Sequence, residues 1–125
     1  VIMAVAVAGV VVLGCLAVFQ ALLVAGAPLG RFAWGGGHVV LPVILRIGSA
    51  ASIGLYAFVA LLVLQAAGAV DVFPAGVVDI GIWVLTAYFA IGVAMNAVSR
   101  SRAERMVMTP VALALAVICL VLALQ

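Results

Sequence analysis

The sequence predicts an all-α membrane protein, a four-transmembrane-helix bundle made of two hairpins. Three observations carry this. The chain has 125 residues, 71% hydrophobic and 6% charged, with a mean hydropathy of +1.62. A soluble domain of this size has too little interior to hide so much apolar surface. Four apolar runs, at about 1–25, 43–67, 77–97 and 103–124, approach or exceed the roughly 20 residues that a helix needs to cross the hydrocarbon core. Glycine, proline and arginine gather in the stretches between them, where turns belong. Residues 1–125 therefore read as one transmembrane domain.

The first span has Gln20 as its single strongly polar side chain. It is longer than a signal-peptide apolar region and reads as a retained span. Gly26-Ala27-Pro28-Leu29-Gly30 ends it. The longest break in the apolar pattern follows, with Arg31, Trp34, the run Gly35-Gly36-Gly37 and the only histidine, His38. Pro42 suits the first position of the second helix, where its missing N–H is not needed.

In the second span, Arg46 falls in the first turn and can reach the interface. Gly48/Ser52 and Ala50/Gly54 are small-xxx-small pairs, a helix-packing signature. Ser49, Ser52 and Tyr56 share a face. Interhelical hydrogen bonds are the simpler use of that face, and a polar ligand or ion path is the sharper one.

The third span is expected to begin near Val77, placing Asp79 in its first turn, where a carboxylate suits the positive helix end. The rival role for Asp79 is proton or cation handling. Asp79, Trp83 and Thr86 share a face, and at least one of Trp83 and Tyr88 is expected to pack inside. Asn96 can cap or bond across helices. For the fourth span, Ser101 and Glu104 form a capping-box pattern starting near Arg102. Thr109-Pro110 offers a later start. Residues 111–124 are too short to span alone, so the earlier start is preferred, with a bend at Pro110.

All five cationic residues are arginine: Arg31, Arg46, Arg100, Arg102 and Arg105. They lie in or beside the first and third loops, whereas the second loop and its flank carry Asp71 and Asp79. The positive-inside rule then puts loops 26–42 and 98–105 in the cytoplasm and both termini outside. A faint echo between Arg31…Pro42-Val43-Ile44-Leu45 and Arg100…Pro110-Val111-Ala112-Leu113 suggests a weak 2+2 parallel repeat.

Composition narrows the chemistry. Without lysine there is no Schiff base and no P-loop. A net charge of +2 argues against nucleic acid as a partner. One histidine, three acids and two cysteines in apolar runs do not make a metal site, and no cofactor is expected. Cys15 and Cys119 read as buried packing residues.

The remaining cluster is Arg31, Trp34, Gly35, Gly36, Gly37, His38 and Arg46 from one hairpin, with Ser99, Arg100, Arg102, Glu104 and Arg105 from the other. Its expected ligand is an anionic lipid or a partner. Arginines bind phosphates, the glycines can form an anion-binding nest, and Glu104 is expected to pair with an arginine. The simpler alternative is a tight loop whose arginines only set topology.

Gly26-Ala27-Pro28-x-Gly30-x-x-Ala33-Trp34-Gly35-Gly36-x-His38, with Asn96-x-x-Ser99-Arg100-Ser101-x-x-Glu104-Arg105 and Thr109-Pro110-Val111-Ala112-Leu113, resembles a group of small four-span bacterial integral membrane proteins of uncharacterised function. The resemblance covers nearly the whole chain. It implies a bacterial inner membrane and brings no catalytic residues.

The leading expectation is a non-catalytic protein acting by association, with itself or as a subunit of a membrane complex, among membrane lipids. The alternative is a small transporter or channel with a polar path through Ser49, Ser52, Tyr56, Asp79, Thr86 and Asn96. A third reading, a lipid-directed enzyme, would have His38 as its only base.

Overall fold

The computed structural model describes residues 1–125 and is all helical. α1 (Ile2–Val24), α2 (Val43–Ala66), α3 (Ala75–Ala97) and α4 (Arg102–Leu124) are each long and apolar enough to cross a membrane. The protein is a multi-pass membrane bundle. Hydrocarbon offers the backbone no hydrogen bonds, so each span satisfies its own. At 23 or 24 residues each helix is about 35 Å long, slightly more than the hydrocarbon core.

α1 pairs with α2 and α3 with α4, and the hairpins join through α1 against α4 and α2 against α3. The principal core includes Leu13, Val63, Ile82, Leu85, Leu115 and Cys119. Gly9 allows α1 to approach α4 closely, because a Cβ there would lie 3.1 Å from Ile118 Cγ2. Only 22 of the 125 residues are buried, and Val11, Ile80, Ile91 and Leu113 are exposed apolar side chains. That outer surface suits lipid rather than water.

Both long-hairpin helices end in the same way. Gly26 (φ +93°) and Gly68 (φ +84°) adopt the left-handed conformation after α1 and α2. Ala27 and Ala69 N–H groups donate back to the Leu22 and Leu64 carbonyls, closing Schellman motifs. At the aspartate-bearing end, the Gln65 side chain organises the α2–α3 connection. Its Oε1 accepts from Val72 N at 2.9 Å and Phe73 N at 2.8 Å, and its Nε2 donates to Phe73 O at 2.6 Å. Phe73 thereby packs edge-on against Phe58.

Several expectations change. Pro42 is the residue before α2, and Pro74 plays the same part for α3. Starting α3 at Ala75 moves Asp79 beyond the first turn, where the dipole argument weakens. Trp83 and Tyr88 are both exposed, so neither packs inside. Cys119 is buried, but Cys15 is exposed on the outer face of α1.

α4 starts after Ser101, whose Oγ accepts from Glu104 N at 3.3 Å. Thr109 and Pro110 lie inside the helix, so the prolines of the two hairpins are not in equivalent places.

Candidate functional site

The first loop folds back over the end of α1. Leu23, Ala33 and Leu41 form a small second core beneath it. Two short 3-10 turns, Gly30–Phe32 and Trp34–Gly36, carry the chain across. Gly30 N–H donates to Val39 O at 2.8 Å, and a Cβ on Gly30 would sit 1.9 Å from the His38 carbonyl oxygen. Only glycine permits that crossing.

Trp34 has φ +52°, followed by Gly35 at +78° and Gly36 at +74°. A tryptophan in this region is strained by about 1–3 kcal/mol and persists where its surroundings impose it. Here the indole lies on Gly48, where a Cβ would meet Trp34 Cζ2 at 2.8 Å, and Nε1 donates to Ser49 Oγ at 3.1 Å. Gly48, read as a helix-packing residue, is covered by the loop instead. Ser49, read as part of a polar path, is fully buried beneath the same ring.

The third loop locks onto the first. Ser101 Oγ donates to the Arg31 carbonyl. A Cβ on Gly36 would lie 2.3 Å from Ser101 Cβ, so the glycine permits this approach. Glu104 is buried, and its Oε1 accepts from Ser99 Oγ at 2.6 Å while Oε2 accepts from Gly35 N at 3.4 Å. Glu104 therefore takes the Ser99 hydroxyl and a backbone amide rather than an arginine. The Gly35 amide meets the protein's own carboxylate, which opposes the expectation that this amide receives an external anion.

The arginines diverge. Arg46 is half-buried, donates from Nε to Leu41 O at 2.9 Å, and packs its guanidinium against Gly26. Arg31 is exposed with its Cζ 4.9 Å from the Phe32 ring centre. Arg105 Nη1 donates to Ser99 O at 3.0 Å, and Arg102 lies along Met106. Arg100 is exposed beside Ser99 and Glu104 at a surface recess. His38 and Gly37 are exposed.

The proposed polar path is not assembled as one. Ser52 Oγ donates to Gly48 O at 3.0 Å, Thr86 Oγ1 to Ile82 O at 2.9 Å, and Asn96 Nδ2 to Gly92 O at 2.8 Å. Each satisfies its own helix. Asp79 is exposed near Gln125, separated from Tyr56 and Asn96 by the apolar core. Ser52, Tyr56 and Asn96 alone come together, along one cavity. The second small-residue pair, Ala50 and Gly54, is exposed on α2, and a Cβ on Gly54 would meet nothing within 4 Å.

That cavity, about 380 Å³, is walled by all four helices and the first loop. α2 and α3 meet toward their connecting turn, where a Cβ on Gly81 would touch Leu62 at 3.4 Å. Nearer the arginine-rich end they flank the cavity, and the exposed rim residues Trp34, Tyr88, Ile91 and Met95 leave it open sideways. Met95, Asn96 and Glu104 also line a neighbouring recess of about 420 Å³ beside Arg100. From Glu104 to Leu115 along α4 the groove runs about 16 Å.

Gln20 was the residue whose part in the site sequence reasoning missed. It lines the cavity, is only 8% exposed, and its Nε2 donates to Tyr56 Oη at 3.4 Å. The available signal was its isolation as the single polar side chain of an apolar span.

Comparison with protein-family models, curated proteins and solved structures gives no match to this chain.

Proposed function

We propose that this chain is a non-catalytic bacterial inner-membrane protein that acts by association, through the groove between its hairpins. Its occupant is an apolar membrane molecule entering sideways from the bilayer. The observation that carries this reading is the cavity itself, with Tyr88, Ile91 and Met95 of α3 exposed along its rim. Its volume falls in the range of small-molecule sites, and its walls are mostly apolar with a few polar groups, as such sites require.

In this reading the arginine-rich end faces the cytoplasm and both termini lie outside, following the charge asymmetry. Exposed Arg31, Arg100, Arg102 and Arg105 meet lipid phosphates there. The exposed Ala50 and Gly54 stretch supports association with a second copy or a partner subunit. The separation of Asp79 from the other polar residues favours binding over transport.

Native mass spectrometry in mild detergent tests the reading. The wild-type chain is expected to retain an apolar ligand, and Ser52→Phe, which fills the groove, to lose it. Ligand-free protein under conditions that preserve other membrane complexes would overturn the proposal.

A further inference from the structure

We infer that the groove is built for an apolar alcohol, whose hydroxyl is held between Gln20 and Tyr56. This rests on the groove being a ligand site. Gln20 Oε1 is closed to water and has no hydrogen-bond partner in the protein. Such orphaned buried oxygens are uncommon. Tyr56 Oη accepts from Gln20 Nε2, which leaves the phenolic proton to donate. Both residues line the cavity, and once the Gln20 amide turns toward it the pair offers one acceptor and one donor there.

A hydroxyl satisfies both groups, donating to Gln20 Oε1 and accepting from Tyr56. An ether or ketone can satisfy only Tyr56, and a hydrocarbon neither. Water has the same hydrogen-bonding capacity but cannot fill the surrounding apolar wall of Leu16, Phe19, Phe89 and Leu115. A charged ligand group is disfavoured at this depth, because the ionic side chain lining the cavity is Glu104 at the loop end.

Access to Oε1 needs only a local adjustment. The terminal torsion of glutamine is soft. The 3.4 Å bond to Tyr56 is long, so rotation of the amide toward the groove gives up little.

The test uses the full chain in nanodiscs with 1-dodecanol, dodecyl methyl ether and dodecane as probes. Ligand retention is read by native mass spectrometry. Fluorescence of Trp34 at the groove rim is read in a Trp83→Phe background. Wild type is expected to bind the alcohol about tenfold more tightly than the ether, the scale of one buried hydrogen bond. Gln20→Leu should reduce alcohol binding to the ether's level and leave ether binding unchanged, whereas Tyr56→Phe, which removes the donor both probes use, should weaken alcohol and ether alike.

Equal binding of all three probes by wild type would overturn the hydroxyl inference while preserving the groove. Absence of saturable binding by any of them would overturn both. The wild-type comparison decides the inference even if a variant does not fold.

Discussion

The indole of Trp34 donates from Nε1 to Ser49 Oγ at 3.1 Å while its ring covers Gly48. This contact fastens the first loop to α2 and closes one side of the groove. It also explains why α2 carries a glycine and a serine in succession: one gives the ring room and the other receives its N–H.

Gly48→Ala is therefore expected to destabilise the protein by about 1–3 kcal/mol, since the new methyl overlaps the indole. Ser49→Ala should cost about 1 kcal/mol through loss of the hydrogen bond. Thermal unfolding in detergent measures both. In a Trp83→Phe background, Trp34 emission should shift when the ring undocks. An unchanged spectrum and melting temperature in Gly48→Ala would refute the contact.

The loop glycines should separate into two groups. Gly30→Ala and Gly36→Ala place a Cβ against the His38 carbonyl and Ser101, and both should lower folded yield sharply. Gly37 has φ −73° and open space around its Cβ position. Gly37→Ala should be neutral or stabilising by up to about 1 kcal/mol. A uniform response across the three would contradict the loop geometry.

Glu104 joins the two loops through Ser99 Oγ and Gly35 N. Glu104→Ala should cost about 2–3 kcal/mol by removing the acceptor of these bonds, and Glu104→Gln about half as much. Limited proteolysis of the loops provides a local readout. Equal stability of all three proteins would show that the carboxylate does not hold the loops.

His38 contributes its backbone carbonyl to the loop crossing, while the residue is exposed. His38→Ala should alter stability by no more than about 0.5 kcal/mol. Loss of ligand binding in that variant would instead return the histidine to the site.

The proposed sidedness can be checked with single cysteines in a Cys15→Ala, Cys119→Ala background. A cysteine replacing His38 should be blocked by reagent from the cytoplasmic side, and one replacing Asp71 from the outside. The reverse pattern would invert the proposed topology.

Much of the fold was legible because hydrocarbon imposes a simple rule: long apolar runs become helices. The Ser101–Glu104 capping box was legible for a similarly local reason, since both partners lie within one turn. The site was less legible. Arginines and the histidine stood out by type, but the contacts that shape the groove come from Gln20, Tyr56, Ser49 and Glu104. Three of these are neutral polar residues whose roles depend on neighbours far along the chain.

By itself the sequence determined four spans, their turns and the charge difference between the two ends, because each follows from length, hydropathy or local backbone chemistry. Tertiary structure decided what those pieces do to one another. It laid Trp34 on Gly48, brought Glu104 to the Gly35 amide, and buried Gln20 beside a cavity with its Oε1 unpartnered. Such outcomes depend on how the hairpins pack, and packing is a relation between distant residues that local periodicity does not contain.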